Sequence, residues 1–431
     1  MNLVRYRDAD YAQRIEQLLA ASSLFDSTIE ERTKAIVAAV QSRGDEALSE
    51  LTERFDGAKL QTTEFAVTKA ELLQASLGAD AALRSALELS SKNIEAFSRK
   101  ALRKNWTAKN KQGANVGEKF DPFQRVGLYI PGGTAPLVST ALMTVVLAKT
   151  AGCQEIVVCT PCNKEGKVNP ALLLALSIAG ATEIYKAGGA QAIAALSYGT
   201  PTIRKVQKIF GPGNAYVVAA KRLLFGHVSV DLLPGPSEVL ILADETANPA
   251  FVAADMLAQA EHGSGEERVW LVTTESSLLK AVQKEITRQL PKLARRAFIE
   301  KALAKNSWLV LVKSIQDGVA LVNRIAPEHC EIMTRKPETV VASIRTAGAI
   351  FVGPWSPTVL GDYVAGPSHT LPTGGAGASF AGLTVDQFQR RTSVVRYEKP
   401  ALKKSLAAVE KFAALEGLDA HGRSAAIRIK R

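Results

Sequence analysis

Four of the five histidines lie in short polar clusters, and these clusters contain the side chains best suited to chemistry. The first is Gln259-Ala-Glu-His262, whose outer residues are three apart and therefore share one face of a helix. Asn248 and Pro249 are typical of the start of that helix, and Gly263 can end it. Because the last turn carries the negative end of the helix dipole, the pair is placed to bind a cation. A histidine at a helix end is more often a cap than a metal ligand, so both interpretations stay open.

A second cluster, Pro327-Glu328-His329-Cys330, comes just before a predicted strand. Its carboxylate and imidazole point to opposite faces if both residues are extended, but each can reach a cleft from a loop. The pair offers a base with a pKa near neutrality and a second acid–base group. Two solvated residues at the beginning of a strand fit the pattern equally well.

Two further clusters lie in a long loop and in the C-terminal tail. The Gly- and Pro-rich segment 361–375 displays Asp362 and His369, and such a loop inside an α/β domain is usually functional. The segment 416–421 ends in His421 and would by itself be interpreted as a solvated helix end. Together the four clusters supply nitrogen and oxygen ligands but no thiolate, a combination that suits a divalent metal, zinc above all.

The elements that must position these clusters form two series of strands and helices. Residues 1 to about 105 show helical spacing, as in 29–55 and 81–102, and β-branched runs then alternate with helical segments. The first series contains predicted strands Val126–Ile130, Glu155–Cys159, Thr182–Lys186 and Lys208–Phe210. The second contains predicted strands Val239–Ala243, Val269–Thr273, Trp308–Val312, Cys330–Thr334 and Ala349–Val352. This alternation predicts an α/β fold with two doubly wound parallel sheets.

The final segment, 384–431, is predicted to be largely helical and is basic. It is too small to bury a core alone, so it must dock on its own domain or on another subunit.

Three glycine-containing turns of the first series could hold a dinucleotide, because glycine lets the backbone approach a ligand and a helix N-terminus favours an anion. They are Pro131-Gly132-Gly133-Thr134, Gly188-Gly189-Ala190-Gln191 and Gly211-Pro212-Gly213-Asn214. None has the G-x-G-x-x-G fingerprint, so tight strand-to-helix turns remain an equal alternative.

Composition excludes several classes of protein. The N-terminus lacks the apolar core of a signal peptide, and the most apolar stretch, 134–151, contains Pro, Ser, Thr and Lys as a buried helix would. Four cysteines are too few for a disulfide framework, and the pair Cys159 and Cys162 lies in a Pro-containing loop rather than at a helix start. The net charge of +11 comes without any nucleic-acid-binding motif. We therefore expect a soluble cytoplasmic protein with no nucleic-acid or membrane partner.

The clusters and turns together resemble histidinol dehydrogenase. The shared motifs are collinear from about residue 25 to 428 and include Val-Gly-Leu-Tyr-Ile-Pro-Gly-Gly at 126–133, Gly-Gly-Ala-Gln-Ala at 188–192, Gly-Pro-Gly-Asn at 211–214, Gly-Pro-Ser-Glu at 235–238, Gln-Ala-Glu-His-Gly at 259–263, Ala-Pro-Glu-His at 326–329, Gly-Asp-Tyr-Val-Ala-Gly-Pro at 361–367 and Glu-Gly-Leu-x-Ala-His at 416–421. The sequence departs from the family pattern at two places. Ser368 stands where the family commonly has Asn, and Leu232-Leu233-Pro234 replaces the more usual Met-Pro-Ala, but neither change involves a metal ligand assigned below.

The resemblance implies an enzyme of histidine biosynthesis that oxidises L-histidinol to L-histidine through an aldehyde and reduces two NAD. It also implies two Rossmann-like domains and a domain-swapped homodimer in which the tail crosses to the partner. One zinc ion per subunit would be bound by Gln259, His262 and Asp362 of one subunit and by His421 of the other. The remaining substrate contacts would be Ser237, Glu328, His329, His369 and Glu416, and the NAD contacts Tyr129, Gln191 and Asn214. His329 would be the base for alcohol oxidation, and Glu328 would activate water on the aldehyde.

The predicted domain division follows the same resemblance. An N-terminal helical segment covers 1–24, and a larger α/β domain with the metal and catalytic loops covers 25–128 and 239–383. An inserted NAD domain covers 129–238, and the helical tail covers 384–431.

Two alternatives remain. A related zinc and NAD dehydrogenase of another amino alcohol would keep the same metal and NAD residues. A basic nucleic-acid-binding protein would instead bind duplex or single strands in a strongly salt-dependent manner and contain no metal.

Overall fold

The computed structural model describes residues 1–20, 26–132 and 136–429. Gly133 and Thr134, which belong to the first predicted glycine turn, lie outside the described residues, as do the end of the predicted N-terminal segment and the last two residues of the tail.

The strands are β1 Asn2–Arg5, β2 Trp106–Lys109, β3 Asn115–Pro122, β4 Arg125–Tyr129, β5 Glu155–Thr160, β6 Glu183–Lys186, β7 Lys208–Phe210, β8 Ser229–Val230, β9 Glu238–Ala243, β10 Arg268–Thr273, β11 Ser307–Leu311, β12 His329–Met333, β13 Ala349–Val352 and β14 Gln389–Arg396. The α-helices are α1 Tyr11–Leu19, α2 Ser27–Arg43, α3 Asp45–Asp56, α4 Lys69–Leu77, α5 Ala81–Ala101, α6 Val138–Ala151, α7 Pro170–Ala179, α8 Gly189–Tyr198, α9 Ala215–Leu224, α10 Pro249–Ala260, α11 Ser276–Gln289, α12 Arg296–Asn306, α13 Ile315–Ile325, α14 Pro337–Val341, α15 Thr358–Tyr363, α16 Lys399–Glu416 and α17 Asp419–Ala426.

Six parallel strands form the larger sheet, in the order β1-β11-β10-β9-β12-β13. Successive residues of β9 point to opposite faces. Val239 and Ile241 pack with the apolar sides of α10, α11 and α12, while Leu240 and Leu242 pack with α1 and α13. Because both faces are covered, the strands are almost continuously apolar, which is the pattern that predicted them. The five predicted strands of the second series are confirmed to within a residue at each end.

Five parallel strands form the second sheet, in the order β6-β5-β4-β7-β8. The chain moves outward from β4 through β5 to β6 and then crosses back to place β7 on the other side of β4. The strand order therefore reverses between β4 and β7. In open α/β sheets, the crevice beyond the carboxyl ends of the strands at this point is where ligands bind.

The helices α2–α5 pack on the second sheet rather than on the first. Val40, Leu48, Phe65 and Ile94 belong to one buried cluster with the strands β4–β7, and α2 lies against α8 and α9. This differs from the predicted division, which grouped 25–128 with 239–383. An amphipathic helix reveals that one face is buried but not which sheet buries it.

The two ends of the chain also differ from the predicted helical segments. The first residues form β1, which pairs with β11 at the edge of the larger sheet. In the tail, β14 pairs antiparallel with β3, and β2 completes a three-stranded sheet. The residues of β2 are all exposed and β14 has no buried face, so neither strand shows an apolar alternation in the sequence.

The tail helices α16 and α17 leave much of their apolar surface uncovered in the single subunit. Phe412, Leu415 and Ile427 are 64%, 69% and 66% exposed. Uncovered apolar surface of this kind is typical of an interface with another chain.

No helix within the described ranges is both long and apolar enough to span a lipid bilayer.

Candidate active site

A cavity of about 300 Å³ lies between the two sheets. Pro212, from the turn after β7, lines one side, and the beginnings of β9 and β12 line the other. The predicted site residues that line this cavity are Ser237, His262, Glu328, His329, Asp362 and His369. The fold thus brings together three clusters that lie far apart in the sequence.

His329 is the first residue of β12, and its ring is oriented by the neighbouring strand. Its Nδ1 lies 2.8 Å from the carbonyl oxygen of Glu238. Because a carbonyl can only accept a hydrogen bond, Nδ1 carries a proton, and in the neutral ring Nε2 is the free base. Nε2 lies 3.9 Å from Oδ1 of Asp362. The side chain can therefore take a proton at Nε2 from a group held in the cavity.

Burial lowers the pKa of His329, but the Glu328 carboxylate, with a smaller contribution from Asp362, outweighs that effect and raises the pKa to about 9. In the chain without a bound cation the ring is therefore protonated near neutral pH, and Nε2 can accept a proton only after the ring has become neutral.

Glu328 is held by the same backbone unit as His329. Its Oε2 accepts a hydrogen bond of 2.8 Å from the backbone N–H of Glu238 and lies 3.5 Å from Nδ1 of His329. Its Oε1 accepts no hydrogen bond from the described residues. The main-chain N–H and carbonyl oxygen of a single residue, Glu238, therefore orient both side chains of the predicted acid–base pair and leave one atom of each, Nε2 and Oε1, free.

The Glu238 side chain was not predicted as a site residue, although it ends the Gly-Pro-Ser-Glu motif. It is buried, and its Oε1 accepts a hydrogen bond of 3.0 Å from Gly374 and lies 3.4 Å from Arg268. Burial raises its pKa to about 7. Its contact with Gly374 fastens the loop that carries Asp362 and His369 to the start of β9.

Two of the three predicted metal ligands of this chain have free ligand atoms. The Gln259 side chain is buried, and its Nε2 has no hydrogen-bond partner among the described residues. Rotation of the amide group exchanges Nε2 and Oε1, so the side chain can equally present its oxygen as a ligand at this position. Nδ1 of His262 lies 3.0 Å from the carbonyl oxygen of Gln259, which leaves Nε2 free.

The single subunit does not complete a metal site. In the described part of the chain, no three His, Cys, Asp or Glu side chains are close enough to hold an ion. His421 lies exposed on α17, and Glu416, which ends α16, is exposed as well. Neither lines the cavity. Of the three predicted metal ligands of this chain, His262 and Asp362 line the cavity.

His369 links the two halves of the molecule. Its Nδ1 lies 3.1 Å from the carbonyl oxygen of Asp362, and its Nε2 lies 3.1 Å from Oγ1 of Thr140 on α6. Burial lowers its pKa. The neighbouring Ser368 donates to the carbonyl oxygen of Met143 over 3.2 Å, so this departure from the family motif makes its own contact with α6.

A buried pair of carboxyl groups underlies the site, and sequence reasoning missed it. Asp255 lies on α10 and Glu331 on β12, and Oε1 of Glu331 accepts a hydrogen bond of 2.9 Å from Thr358 at the start of α15. Burial, and for Glu331 also the charge of Asp255, raises both pKa values, that of Asp255 to about 6. The charge of one carboxyl group therefore opposes ionisation of the other. The Glu331 carboxylate links β12, which begins at His329, to the start of α15, which carries Asp362.

The predicted NAD residues lie at the carboxyl edge of the five-stranded sheet. The hydroxyl of Tyr129 accepts a hydrogen bond of 3.0 Å from the N–H of Gly189. The amide Nε2 of Gln191 is buried and has no partner among the described residues. Asn214 caps α9 by accepting hydrogen bonds from the N–H groups of the first turn. A Cβ on Gly211 would lie 2.2 Å from the carbonyl oxygen of Tyr129, so only glycine fits at the point where the strand order reverses.

A buried ion pair holds the Gly211 turn in place. Nζ of Lys221 donates to Oδ1 of Asp231, to the carbonyl oxygen of Gly211 (2.8 Å) and to that of Leu232 (3.0 Å). Oδ2 of Asp231 accepts from the N–H of Gly211 over 2.8 Å. Both polar groups of Gly211 are thus fixed, as is the segment that leads to Ser237.

Cys159 and Cys162 are buried, and burial raises the pKa of their thiols to about 12 and about 11. Both side chains therefore stay protonated near neutral pH and are poor nucleophiles or metal ligands.

Comparison with known proteins agrees with the geometry. The family model described as histidinol dehydrogenase matches residues 20–429. The chain is 44% identical to the histidinol dehydrogenase of Geobacillus kaustophilus, with 97% of this chain and 99% of that protein covered, and 41% identical to that of Heliobacterium mobile, with both chains fully covered. A crystal structure of histidinol dehydrogenase from Elizabethkingia anophelis superposes with a TM-score of 0.94 at 35% identity and covers 100% of this chain and 98% of that one.

A more distant likeness concerns the fold alone. An acetylating aldehyde dehydrogenase from Geobacillus thermoglucosidasius has a TM-score of 0.51 at 16% identity and covers 91% of this chain and 98% of its own. The matches to the family model and to its members extend over nearly the whole chain, and the chain therefore belongs to the histidinol dehydrogenase family, an oxidoreductase of histidine biosynthesis that acts on histidinol.

Proposed function

We propose that this chain oxidises L-histidinol to L-histidine through L-histidinaldehyde, with zinc and two NAD. The observation that carries the proposal is the main chain of Glu238, whose carbonyl oxygen and N–H orient His329 and Glu328. It leaves one proton-accepting atom of each side chain beside the same cavity. Two oxidations with a hydration between them need two such atoms.

Zinc and NAD fit the residues present. The orphaned amide of Gln259, the free Nε2 of His262 and the carboxylate of Asp362 are oxygen and nitrogen donors of the kind zinc accepts. Tyr129, Gln191 and Asn214 lie where an open α/β sheet binds a ligand. When bound, zinc supplies a Lewis acid that orients the amine and imidazole of the substrate, and NAD supplies the hydride acceptor.

The side chains of this protein would then move the protons. In the first oxidation Nε2 of His329 takes the hydroxyl proton of the alcohol, and the carbon that bears this hydroxyl loses a hydride. These two losses yield the aldehyde and the first NADH. In the hydration step Oε1 of Glu328 takes a proton from the water that attacks the aldehyde carbon. After Nε2 of His329 has released its first proton to solvent, the hydrate anion loses its remaining hydroxyl proton to this atom and a second hydride, which yields the carboxylate and the second NADH.

We also infer that the active enzyme is a homodimer with sites shared between subunits. The uncovered apolar surface of α16 and α17 supports this inference, and so does the exposure of Glu416 and His421 outside the cavity of their own chain. Gln259, His262 and Asp362 would hold zinc with His421 of the partner subunit, and Glu416 would reach the substrate of the same neighbouring site. The cytoplasmic location and the lack of nucleic-acid and membrane partners stay predictions.

The direct test is an NADH-formation assay with L-histidinol. We expect two NADH for each substrate molecule consumed, loss of the activity after treatment with a zinc chelator, and its return when zinc is added back. An amino alcohol without an imidazole ring serves as the control substrate and should give no NADH. A zinc-containing protein that leaves L-histidinol unchanged would contradict the proposal.

A further inference from the structure

The carboxylate of Asp56 lies at the carboxyl edge of the five-stranded sheet and is not explained by the mechanism. Asp56 is the last residue of α3, and its Oδ2 is buried without a hydrogen-bond partner among the described residues. A Cβ on Gly188 would lie 3.1 Å from this oxygen and 2.8 Å from Cβ of Pro161. The carboxylate therefore stands where β5 and β6 end.

This position is unfavourable for a negative charge in the protein alone. The end of a helix carries the negative end of its dipole, and burial raises the pKa of Asp56 to about 6. Lys186, which ends β6, is already paired with Glu71 over 2.7 Å. The neighbouring hydroxyl of Tyr129 accepts a hydrogen bond from Gly189, although it remains able to donate. A buried carboxylate oxygen without a donor destabilises the folded chain, which points to a donor that arrives with a ligand.

The place of Asp56 relative to the strands indicates which part of the ligand would donate. In doubly wound sheets that bind NAD, an acidic side chain near the end of the second strand accepts a hydrogen bond from the 2′-hydroxyl of the adenosine ribose. Counted from the reversal point, β4 is the first strand here and β5 the second. The residues after β5 are Pro161-Cys162-Asn163, and none of them is acidic. Asp56 brings a carboxylate to this position from a helix outside the sheet.

Resting on the proposed use of NAD, we propose that Asp56 accepts a hydrogen bond from the ribose 2′-hydroxyl of the dinucleotide and makes the site select NAD over NADP. A 2′-phosphate would place negative charge against this carboxylate. Asp56 is thus a specificity-determining residue that takes no part in proton or hydride transfer.

The test compares wild type, Asp56→Asn and Glu53→Gln by calorimetric titration with NAD and with NADP. Asn has the size of Asp but lacks its charge, whereas Glu53 lies exposed on the same helix and serves as the matched control. We expect Asp56→Asn to weaken NAD binding by about threefold to tenfold, because asparagine keeps an oxygen that can accept the hydrogen bond but lacks the charge that strengthens it. The ratio of NADP to NAD affinity should rise, and Glu53→Gln should change neither value.

Thermal unfolding without dinucleotide separates binding from folding. Since the carboxylate has no partner in the protein, Asp56→Asn should unfold at the same temperature as wild type or higher. A lower unfolding temperature, or unchanged NAD affinity and selectivity, would overturn the inference about Asp56 while leaving the proposed use of NAD intact. Wild-type protein that binds neither dinucleotide would overturn both.

Discussion

Replacement of His329 by alanine is expected to lower the rate of NADH formation from L-histidinol by a factor of about 100 to 10,000, the range for loss of a general base. The ring is held by the carbonyl oxygen of Glu238 at Nδ1, so in the proposed mechanism Nε2 is the atom that receives the hydroxyl proton. Without it, the alcohol must lose its proton to water in a partly closed cavity. NADH formation from L-histidinaldehyde should fall as well, because the hydrate loses a proton to the same atom.

The measurement is steady-state NADH formation with each substrate, together with the zinc content of the variant. His227→Ala is the control, because His227 is exposed and does not line the cavity between the sheets. A His329→Ala enzyme that binds zinc and retains wild-type turnover would exclude His329 as the base.

Glu328→Gln should separate the two oxidations. Glutamine keeps an oxygen that can accept the hydrogen bond from the N–H of Glu238, so the local structure should persist. It cannot take a proton from water, so hydration of the aldehyde should slow by a factor of about 100 or more. We expect close to one NADH per substrate at early times, with L-histidinaldehyde accumulating. Two NADH per substrate at the wild-type rate would show that hydration does not depend on Glu328.

The contrast between these two residues also shows what the sequence could predict. Glu328 and His329 are adjacent, and Gln259 and His262 lie one helical turn apart, so local geometry alone indicates that each pair acts together. The strands around them were predicted because burial on both faces makes their sequences apolar. The local sequence pattern was therefore sufficient to predict which side chains act together wherever both of them lie in one helix or at the start of one strand.

Contacts between distant elements could not be predicted in this way. The interaction between the carboxyl groups of Asp255 and Glu331 depends on how α10 packs against β12, and no spacing in the sequence encodes it. The attachment of α2–α5 to the five-stranded sheet and the pairing of β14 with β3 depend likewise on tertiary packing. The position of His421 relative to a metal would be of the same kind, since in the proposed dimer it depends on a second subunit.

Mixing two inactive variants is expected to restore activity if sites are shared between subunits. A His262→Ala chain keeps His421, and a His421→Ala chain keeps His262. In a dimer of one of each, one of the two sites receives both intact ligands while the other receives neither. With random pairing half of the dimers are mixed, so about a quarter of the wild-type activity should return. The measurement is NADH formation by co-expressed chains after both pure variants have been shown to be inactive.

The matched control is a mixture of His262→Ala with Asp362→Ala. Both ligands come from the same subunit, so every site in the mixed dimer lacks one of them, and no activity should return. If α17 instead stayed on its own subunit, each site of the first mixture would also lack one ligand, and that mixture would be as inactive as the control. Recovery in the first mixture alone therefore requires that the tail, whose apolar side chains lie uncovered in the single chain, contributes His421 to the site of its partner.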